Sequence, residues 1–176
     1  MDQPSLVAAP DVRLRPWTVA DAPALVAAFS DEAIQRWNIQ TMLTAAEAAE
    51  WIAPWHERWA AETDASWAVT DDGGRDLLGY VALRGMDLEF GVAKLTYWVV
   101  HEHRGRGVAT RAASEITRWA LDDLGLHRLT LYHSVANRAS CGVAGKLGFS
   151  LEGVMRSALL HADGWHDMHI HGRVGA

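Results

Sequence analysis

Cysteine is almost absent from this 176-residue chain, and long apolar runs are absent altogether. Cys141 is the one thiol, which excludes a disulfide scaffold and fits a reducing compartment. No stretch approaches the roughly 20 consecutive apolar residues that span a bilayer. The first ten residues lack the basic and apolar regions of a signal peptide. We therefore expect a cytoplasmic protein without a membrane partner.

Basic charge is also in short supply. The 16 Lys and Arg residues against 22 Asp and Glu residues give a net charge of −6. A general nucleic-acid binder is usually basic, so we expect no nucleic-acid partner. No internal repeat and no Pro/Gly-rich linker divides the chain. The sequence therefore predicts a single domain over residues 1–176, with residues 1–10 as a flexible N-terminal arm.

Apolar periodicity and turn residues predict the element order β-α-α-β-β-β-α-β-α-β-β, an α/β (α+β) domain with a mixed sheet. Hydrophobic residues make up 49% of the chain, enough for a full core at this length. Tryptophan is unusually abundant, with nine residues. The second predicted helix places Trp51, Trp55 and Trp59 at i, i+4 and i+8, on one face. Asp163-Gly164 predicts a hairpin turn before the last strand.

The segment V-V-H-E-H-R-G-R-G-V-A-T at 99–110 joins a predicted strand to a predicted helix. The first N–H groups of a helix lack internal partners and carry partial positive charge, while glycines let a ligand approach the backbone. Arg104 and Arg106 add cationic donors. The segment therefore predicts a phosphate site, with a plain strand-to-helix turn as the alternative. It is not a Walker A loop, and Thr110 replaces the third glycine of the dinucleotide fingerprint.

Two motifs carry a family resemblance. The pattern R-x-x-G-x-A at 104–109 resembles the acetyl-CoA pyrophosphate motif of the GNAT N-acetyltransferases. About 30 residues further on, N-R-A-S at 137–140 and K-L-G-F at 146–149 resemble the motif that follows in those enzymes, and E-G-V-M-R at 152–156 resembles the next. The combination is most similar to the RimJ/RimL-like branch, the ribosomal-protein-type N-terminal acetyltransferases. The resemblance implies the GNAT fold, a mostly antiparallel seven-stranded sheet with helices on both faces.

The resemblance implies an enzyme that moves an acetyl group from acetyl-CoA, as co-substrate, to a primary amine by direct attack. The amine would belong to a protein N-terminus or a small molecule, and no metal is implied. A homodimer is a common arrangement for such a domain. The alternative function is a non-catalytic acyl-CoA-binding or sensor module of the same fold.

The resemblance implies where each part of acetyl-CoA would bind. The pantetheine arm would lie along the end of the strand at 99–100, and the pyrophosphate would lie at the glycine-bearing loop. The helix that begins near residue 137 would add further contacts. The implied cofactor-binding residues are Val99, Val100, Arg104, Gly105, Arg106, Gly107, Val108, Ala109, Thr110, Asn137 and Ser140.

Ser140 is the candidate general acid, or the hydrogen-bond donor to the departing thiolate. Many family members use a tyrosine four residues further along, where this sequence has Ala144. A serine at a helix N-terminus is also a common structural choice, and that interpretation stays open.

The general base is the point at which this sequence departs from its branch. By alignment, Leu159 or Leu160 stands where RimL-like enzymes have a glutamate. We assign Glu89 as the candidate base, with Asp87, His161 and a water wire as alternatives.

The acceptor pocket is assigned to aromatic residues and one histidine. The second helix borders this pocket in the family, so some of its tryptophans would line it, although aromatics at helical spacing also favour core packing. The candidates are Trp37, Trp51, Trp55 and His161.

Four histidines crowd the C-terminal hairpin. His169 and His171 would face the same side of a strand, which makes them a candidate metal pair with His161 or Asp167 as further ligands. No established metal motif supports it, and we expect no metal. Cys141 is predicted to be a small buried hydrophobe, with a nucleophile paired to His133 as the alternative.

Overall fold

The computed structural model describes residues 2–38 and 41–175. Within them, eight strands form one sheet in the order β1-β2-β3-β4-β5-β6-β8-β7. The strands are β1 (Leu6–Ala9), β2 (Val12–Pro16), β3 (Asp64–Thr70), β4 (Leu77–Asp87), β5 (Val92–Val99), β6 (Arg128–Ser134), β7 (Ser150–His161) and β8 (Gly164–Val174). The helices are α1 (Ala22–Phe29), α2 (Glu32–Trp37), α3 (Ala45–Ile52), α4 (Pro54–Ala60), α5 (Val108–Arg118) and α6 (Arg138–Lys146). A π-helical turn (Trp119–Asp123) extends α5.

All neighbouring strands pair antiparallel except β5 and β6, which run parallel. The β5–β6 ladder covers residues 92–94 and 128–130 only. Beyond it, β5 stays paired with β4 as far as Val99, and β6 stays paired with β8 as far as Ser134. Each strand follows its antiparallel partner, so the two diverge and a gap opens in the middle of the sheet.

The sheet has a hydrophobic core on each face. Successive side chains of a strand point to opposite faces, and β5 illustrates this: Leu95 belongs to the core with α5 and α6, and Trp98 to the core with α1, α3 and α4. The predicted mixed sheet with helices on both faces is confirmed. The Asp163-Gly164 turn is confirmed as well, because β7 and β8 meet there as a hairpin.

The predicted single tryptophan face is wrong. Pro54 divides the expected helix into α3 and α4, because proline lacks the N–H that an uninterrupted helix would need at that position. Trp51 and Trp55 remain in contact, with ring centroids 4.9 Å apart in the α1/α3/α4 core. Trp59 instead packs against Trp67, 6.3 Å away, in the opposite core.

The N-terminal stretch accounts for the difference between seven predicted strands and eight observed ones. Residues 6–9, within the predicted flexible arm, form β1 and pair with β2. The Trp67 Nε1–H, buried under this stretch, donates a hydrogen bond of 2.8 Å to the Pro4 carbonyl. Across the described residues, no helix combines the length and the apolar character needed to cross a membrane.

Candidate active site

The gap between β5 and β6 is a cavity of about 660 Å³. Residues 95–99 form one wall and residues 131–134 the other. Past Lys94 the facing peptide groups of the two strands no longer pair with each other. A strand edge with unpaired N–H and C=O groups can hold an extended, amide-bearing ligand by backbone hydrogen bonds.

The glycine-bearing loop closes one end of this cavity. Gly105 and Gly107 have φ of +73° and +76°, the left-handed region that favours glycine. A Cβ on either would meet no atom of the described residues within 4 Å. Gly107 is the N-cap of α5, and the Arg111 N–H makes a helical bond of 3.0 Å to its carbonyl. The N–H groups of residues 108–110 precede that bond, so they lack intrahelical acceptors and border the cavity. This arrangement fits an anionic phosphate ligand.

The two arginines of the loop differ in surroundings. The Arg104 Nε–H donates to the Val99 carbonyl at 3.1 Å, and its guanidinium pairs with Asp31, the N-cap of α2. Arg104 therefore fastens the loop to β5 and α2. Arg106 is exposed and Val100 packs in the core, and neither lines the cavity.

The start of α6 forms the opposite wall. The Ser140 N–H donates to the Asn137 side-chain oxygen at 3.1 Å, so Asn137 caps the helix, and both residues line the cavity. The Tyr97 hydroxyl lies 3.4 Å from the Ser140 carbonyl. Burial raises the pKa of Tyr97 to about 12, which keeps this hydroxyl protonated as a donor near neutral pH. Sequence reasoning missed Tyr97, because an aromatic residue in a β-strand is ordinarily core.

Glu89 is not brought to the cavity. It is exposed in the turn between β4 and β5, whereas the glycine-bearing loop lies past the other end of β5. That strand has eight residues, a length of about 25 Å. Asp87 stabilises the same turn, because its Oδ1 accepts a hydrogen bond of 3.0 Å from the Phe90 N–H. Leu159 lines the cavity, so an apolar side chain stands at the wall where a glutamate was expected.

A chain of polar side chains reaches the cavity from the β7–β8 hairpin. The Ser134 Oγ lies 2.7 Å from His166 Nδ1, and His166 Nε2 lies 2.8 Å from the Asp163 carboxylate. Asp163 accepts only, so Nε2 carries the proton, Nδ1 is the acceptor and Ser134 is its donor. Desolvation raises the pKa of Asp163, but the His166 hydrogen bond and the Arg36 charge outweigh it, and that pKa is lowered. Sequence reasoning noted His166 but missed this chain, which spans β6, the hairpin turn and β8.

The predicted acceptor residues divide into two groups. Trp37 and His161 line the cavity, with ring centroids 6.0 Å apart. The His161 Nδ1–H donates to the Arg36 carbonyl at 3.0 Å, so Nε2 keeps a lone pair, which is buried and has no partner among the described residues. Trp51 and Trp55 pack in the α1/α3/α4 core and do not line the cavity.

Comparisons with known proteins agree with this geometry. The family described as acetyltransferase (GNAT) domain matches residues 11–150. The N-acetyltransferase YoaA of Bacillus subtilis, itself uncharacterized, is 26% identical over 81% of both chains. The ribosomal-protein-serine acetyltransferase of Escherichia coli is 25% identical over 56% of this chain and 55% of its own length. A RimL ribosomal L7/L12 α-N-protein acetyltransferase, solved in complex with coenzyme A, has the same fold, with a TM-score of 0.90, 16% identity and 98% of each chain covered.

Proposed function

Because this chain belongs to the GNAT acetyltransferase family, we propose that it transfers the acetyl group of acetyl-CoA to a primary amine. One observation carries the proposal: the cavity between the diverging strands β5 and β6, with the N–H groups of residues 108–110 at its border. An extended pantetheine arm fits a strand edge with unpaired peptide groups. A pyrophosphate fits a helix start whose first N–H groups lack acceptors.

We propose that most of the residues that the family resemblance implies for acetyl-CoA binding do bind it. Val99 contributes its backbone, Gly105 and Gly107 contribute the loop, and Val108 to Thr110 contribute the first turn of α5. Asn137 and Ser140 border the cavity at α6. Arg104 acts by holding the loop in place, given its pairing with Asp31.

The reaction forms a C–N bond and breaks the C–S bond of the thioester, so a proton must leave the amine and the thiolate must gain one. We assign the first task to Ser134 and His166 instead of Glu89. The Ser134 hydroxyl accepts the amine proton as it passes its own proton to His166 Nδ1, and the Asp163 carboxylate stabilises the resulting imidazolium. Ser140 donates a hydrogen bond to the thiolate, and the protonated Tyr97 beside it supports that role.

We propose that the acceptor is a protein or peptide N-terminus, held against Trp37 and His161. The support is the relative named for acetylating a ribosomal-protein serine, together with the cavity wall formed by these two rings. A neutral amine must approach the thioester, and an aromatic wall that excludes water favours the neutral form.

The test is turnover of the purified chain with acetyl-CoA and a panel of peptides with different N-terminal residues, alongside small primary amines. We expect amine-dependent release of the coenzyme A thiol and a product heavier by one acetyl group. Binding of acetyl-CoA without release on any amine would contradict acetyl transfer and favour the sensor module.

The base assignment has its own variants. His166→Gln should lower kcat by about 10²- to 10⁴-fold and remove the acidic limb of the pH–rate profile, with coenzyme A affinity unchanged. His161→Gln is the matched control on the neighbouring ring, 4.3 Å away between centroids. If His161→Gln removes the acidic limb and His166→Gln does not, His161 is the base and the relay through Ser134 is wrong.

A further inference from the structure

Four side chains with metal-binding atoms converge on the face of the sheet that α6 covers. They are His133 of β6, His169 and His171 of β8, and Cys141 of α6, and one ligand atom from each lies within 4.8 Å of all the others. The proposed acetyl transfer uses none of them.

The register of β6 and β8 assembles the three histidines. His133 lies directly opposite His169, and His171 is two residues further along, so all three side chains share one face. Ser134 and His166 alternate with them and face the other side. The side chains of Ser134 and His166 therefore lie on the opposite face of the sheet from the histidine–cysteine cluster, although His133 and Ser134 both border the cavity.

The protonation of His133 is determined by its surroundings. Its Nδ1 lies 2.8 Å from the Ser134 carbonyl, which can only accept, so Nδ1 carries the proton and Nε2 keeps its lone pair. That Nε2 faces the Nε2 of His171 at 3.0 Å. A backbone carbonyl on the outer nitrogen of a histidine is the arrangement that orients metal-ligating imidazoles.

One ring nitrogen of the cluster is left without a partner. The Nδ1 atom of His169 is buried and has no hydrogen-bond partner among residues 2–38 and 41–175. Buried polar atoms are normally hydrogen-bonded, so a bound ion would satisfy a nitrogen that the described part of the protein leaves unpaired.

We propose that His133, Cys141, His169 and His171 form a zinc site. Three imidazole nitrogens and one thiolate are a ligand set for tetrahedral Zn²⁺, and a thiolate disfavours Mg²⁺ and Ca²⁺. Bonds of about 2.0–2.3 Å place tetrahedral ligand atoms about 3.3–3.8 Å apart. The present atoms, with a pair at 3.0 Å and all within 4.8 Å, need shifts of about 1 Å.

From the sequence, the candidate ligands are His169 and His171 with His161 or Asp167, and no metal is expected. The proposed site differs on both points. His161 lies on the other face of the sheet, where its Nδ1 bonds the Arg36 carbonyl. The Asp167 carboxylate accepts a hydrogen bond of 2.8 Å from the Ser157 N–H. The third and fourth ligands of the proposed site are instead Cys141 and His133. The bound ion would join α6 to β6 and β8 and so hold Ser140, next to Cys141, against the cavity.

The first experiment uses the full chain, stripped with a chelator under reducing conditions and titrated with Co²⁺ and then Zn²⁺. We expect one Co²⁺ per chain, with tetrahedral d–d bands and a thiolate-to-cobalt charge-transfer band, displaced by Zn²⁺. Zn²⁺ at 100 times its Kd should raise Tm by about 5–10 °C. Neither measurement depends on acetyltransferase activity, so failure of the proposed function leaves this test intact.

Three variants, each checked for folding by circular dichroism, identify the ligands. Cys141→Ser should abolish the charge-transfer band, and His169→Gln should reduce the Zn²⁺ shift in Tm by more than half. His56→Gln, an exposed histidine of α4, is the matched control and should match the wild type. Absence of stoichiometric binding overturns the site. So does a charge-transfer band that survives in Cys141→Ser, or a Tm shift that His166→Gln removes and Cys141→Ser does not.

Discussion

Replacement of Gly107 by alanine tests, with one added methyl group, the proposal that the glycine-bearing loop binds the pyrophosphate. Gly107 has φ of +76° and ψ of 9°, and within the part of the chain that the structure describes an added Cβ would meet no atom within 4 Å. The methyl group therefore costs about 1–2 kcal/mol of folding free energy through backbone strain, without a steric clash inside the protein. Because Gly107 borders the cavity, the methyl group would stand where the pyrophosphate has to approach the first turn of α5.

The expected loss of affinity follows from the hydrogen bonds at stake. A hydrogen bond to a charged group contributes about 1.5–3 kcal/mol. Displacing the pyrophosphate from one N–H of residues 108–110 should therefore raise the Kd for coenzyme A by about 10- to 150-fold. Gly107→Trp should abolish binding, because the indole fills the space of the phosphates.

Gly125→Ala is the control that separates the effect of backbone strain from the effect of a methyl group at the proposed coenzyme A site. Gly125 has φ of +75° and equally open surroundings, and it follows the helix at the end remote from the loop, about 25 Å away. Isothermal titration calorimetry with coenzyme A, together with urea unfolding, should show similar losses of stability in both variants and a loss of affinity in Gly107→Ala alone. A folded Gly107→Ala variant with the wild-type Kd, or an equal loss of affinity in Gly125→Ala, would refute the loop assignment.

Three further predictions concern the thiolate, a partly buried ion pair and the N-terminal strand. Ser140→Ala should lower kcat by about 10- to 150-fold while the Kd for coenzyme A changes much less, as measured by single-turnover kinetics and calorimetry; an unaltered rate removes Ser140 from the mechanism. Burial raises the pKa of Asp21, but hydrogen bonds of 2.8 and 2.6 Å from Arg15 help to lower that pKa overall. The ionised Asp21 therefore stabilises the fold at any pH above the ordinary carboxylate pKa. This stabilisation is lost as the pH falls through the lower pKa of the folded state. Asp21→Asn should therefore destabilise the protein by about 1–3 kcal/mol at pH 7 and by less in acid, and urea unfolding with equal losses at both pH values would contradict this. Deletion of residues 2–9 should lower the free energy of unfolding by at least about 1–3 kcal/mol, because it leaves the buried Trp67 indole N–H unpaired, and an unchanged Tm would show that β1 contributes little.

Local signals in the chain were sufficient for the glycine-bearing loop, α5, α6 and the β7–β8 hairpin. Each is encoded by neighbours in sequence: glycines at 105 and 107 where φ is positive, Asn137 as an N-cap, and Asp163-Gly164 as a tight turn. The family resemblance rests largely on motifs within these segments, which is why the fold was predictable from them.

The predictions of a single tryptophan face and of a flexible N-terminal arm were wrong for reasons that lie in neighbouring residues. Pro54 stands inside the pattern that predicts one helix, and the periodicity of Trp51, Trp55 and Trp59 hides the break. The short apolar segment 6–9 is too brief to predict as a strand by itself. It becomes a strand because β2 would otherwise leave an unpaired edge over the buried Trp67.

Spacing along the chain was enough to predict the mixed sheet, the order of most elements and the GNAT family, because these depend on local pattern and short motifs. Which side chains meet depends instead on how distant segments pair. The β6–β8 register aligns Ser134 with one face and His133 with the other, and so creates both the hydrogen bond from Ser134 to His166 and the cluster with Cys141. Glu89 was excluded in the same way, because β5 carries the chain about 25 Å from its turn to the loop. Pairings between distant segments depend on strand register, and a shift of one residue would exchange the two faces.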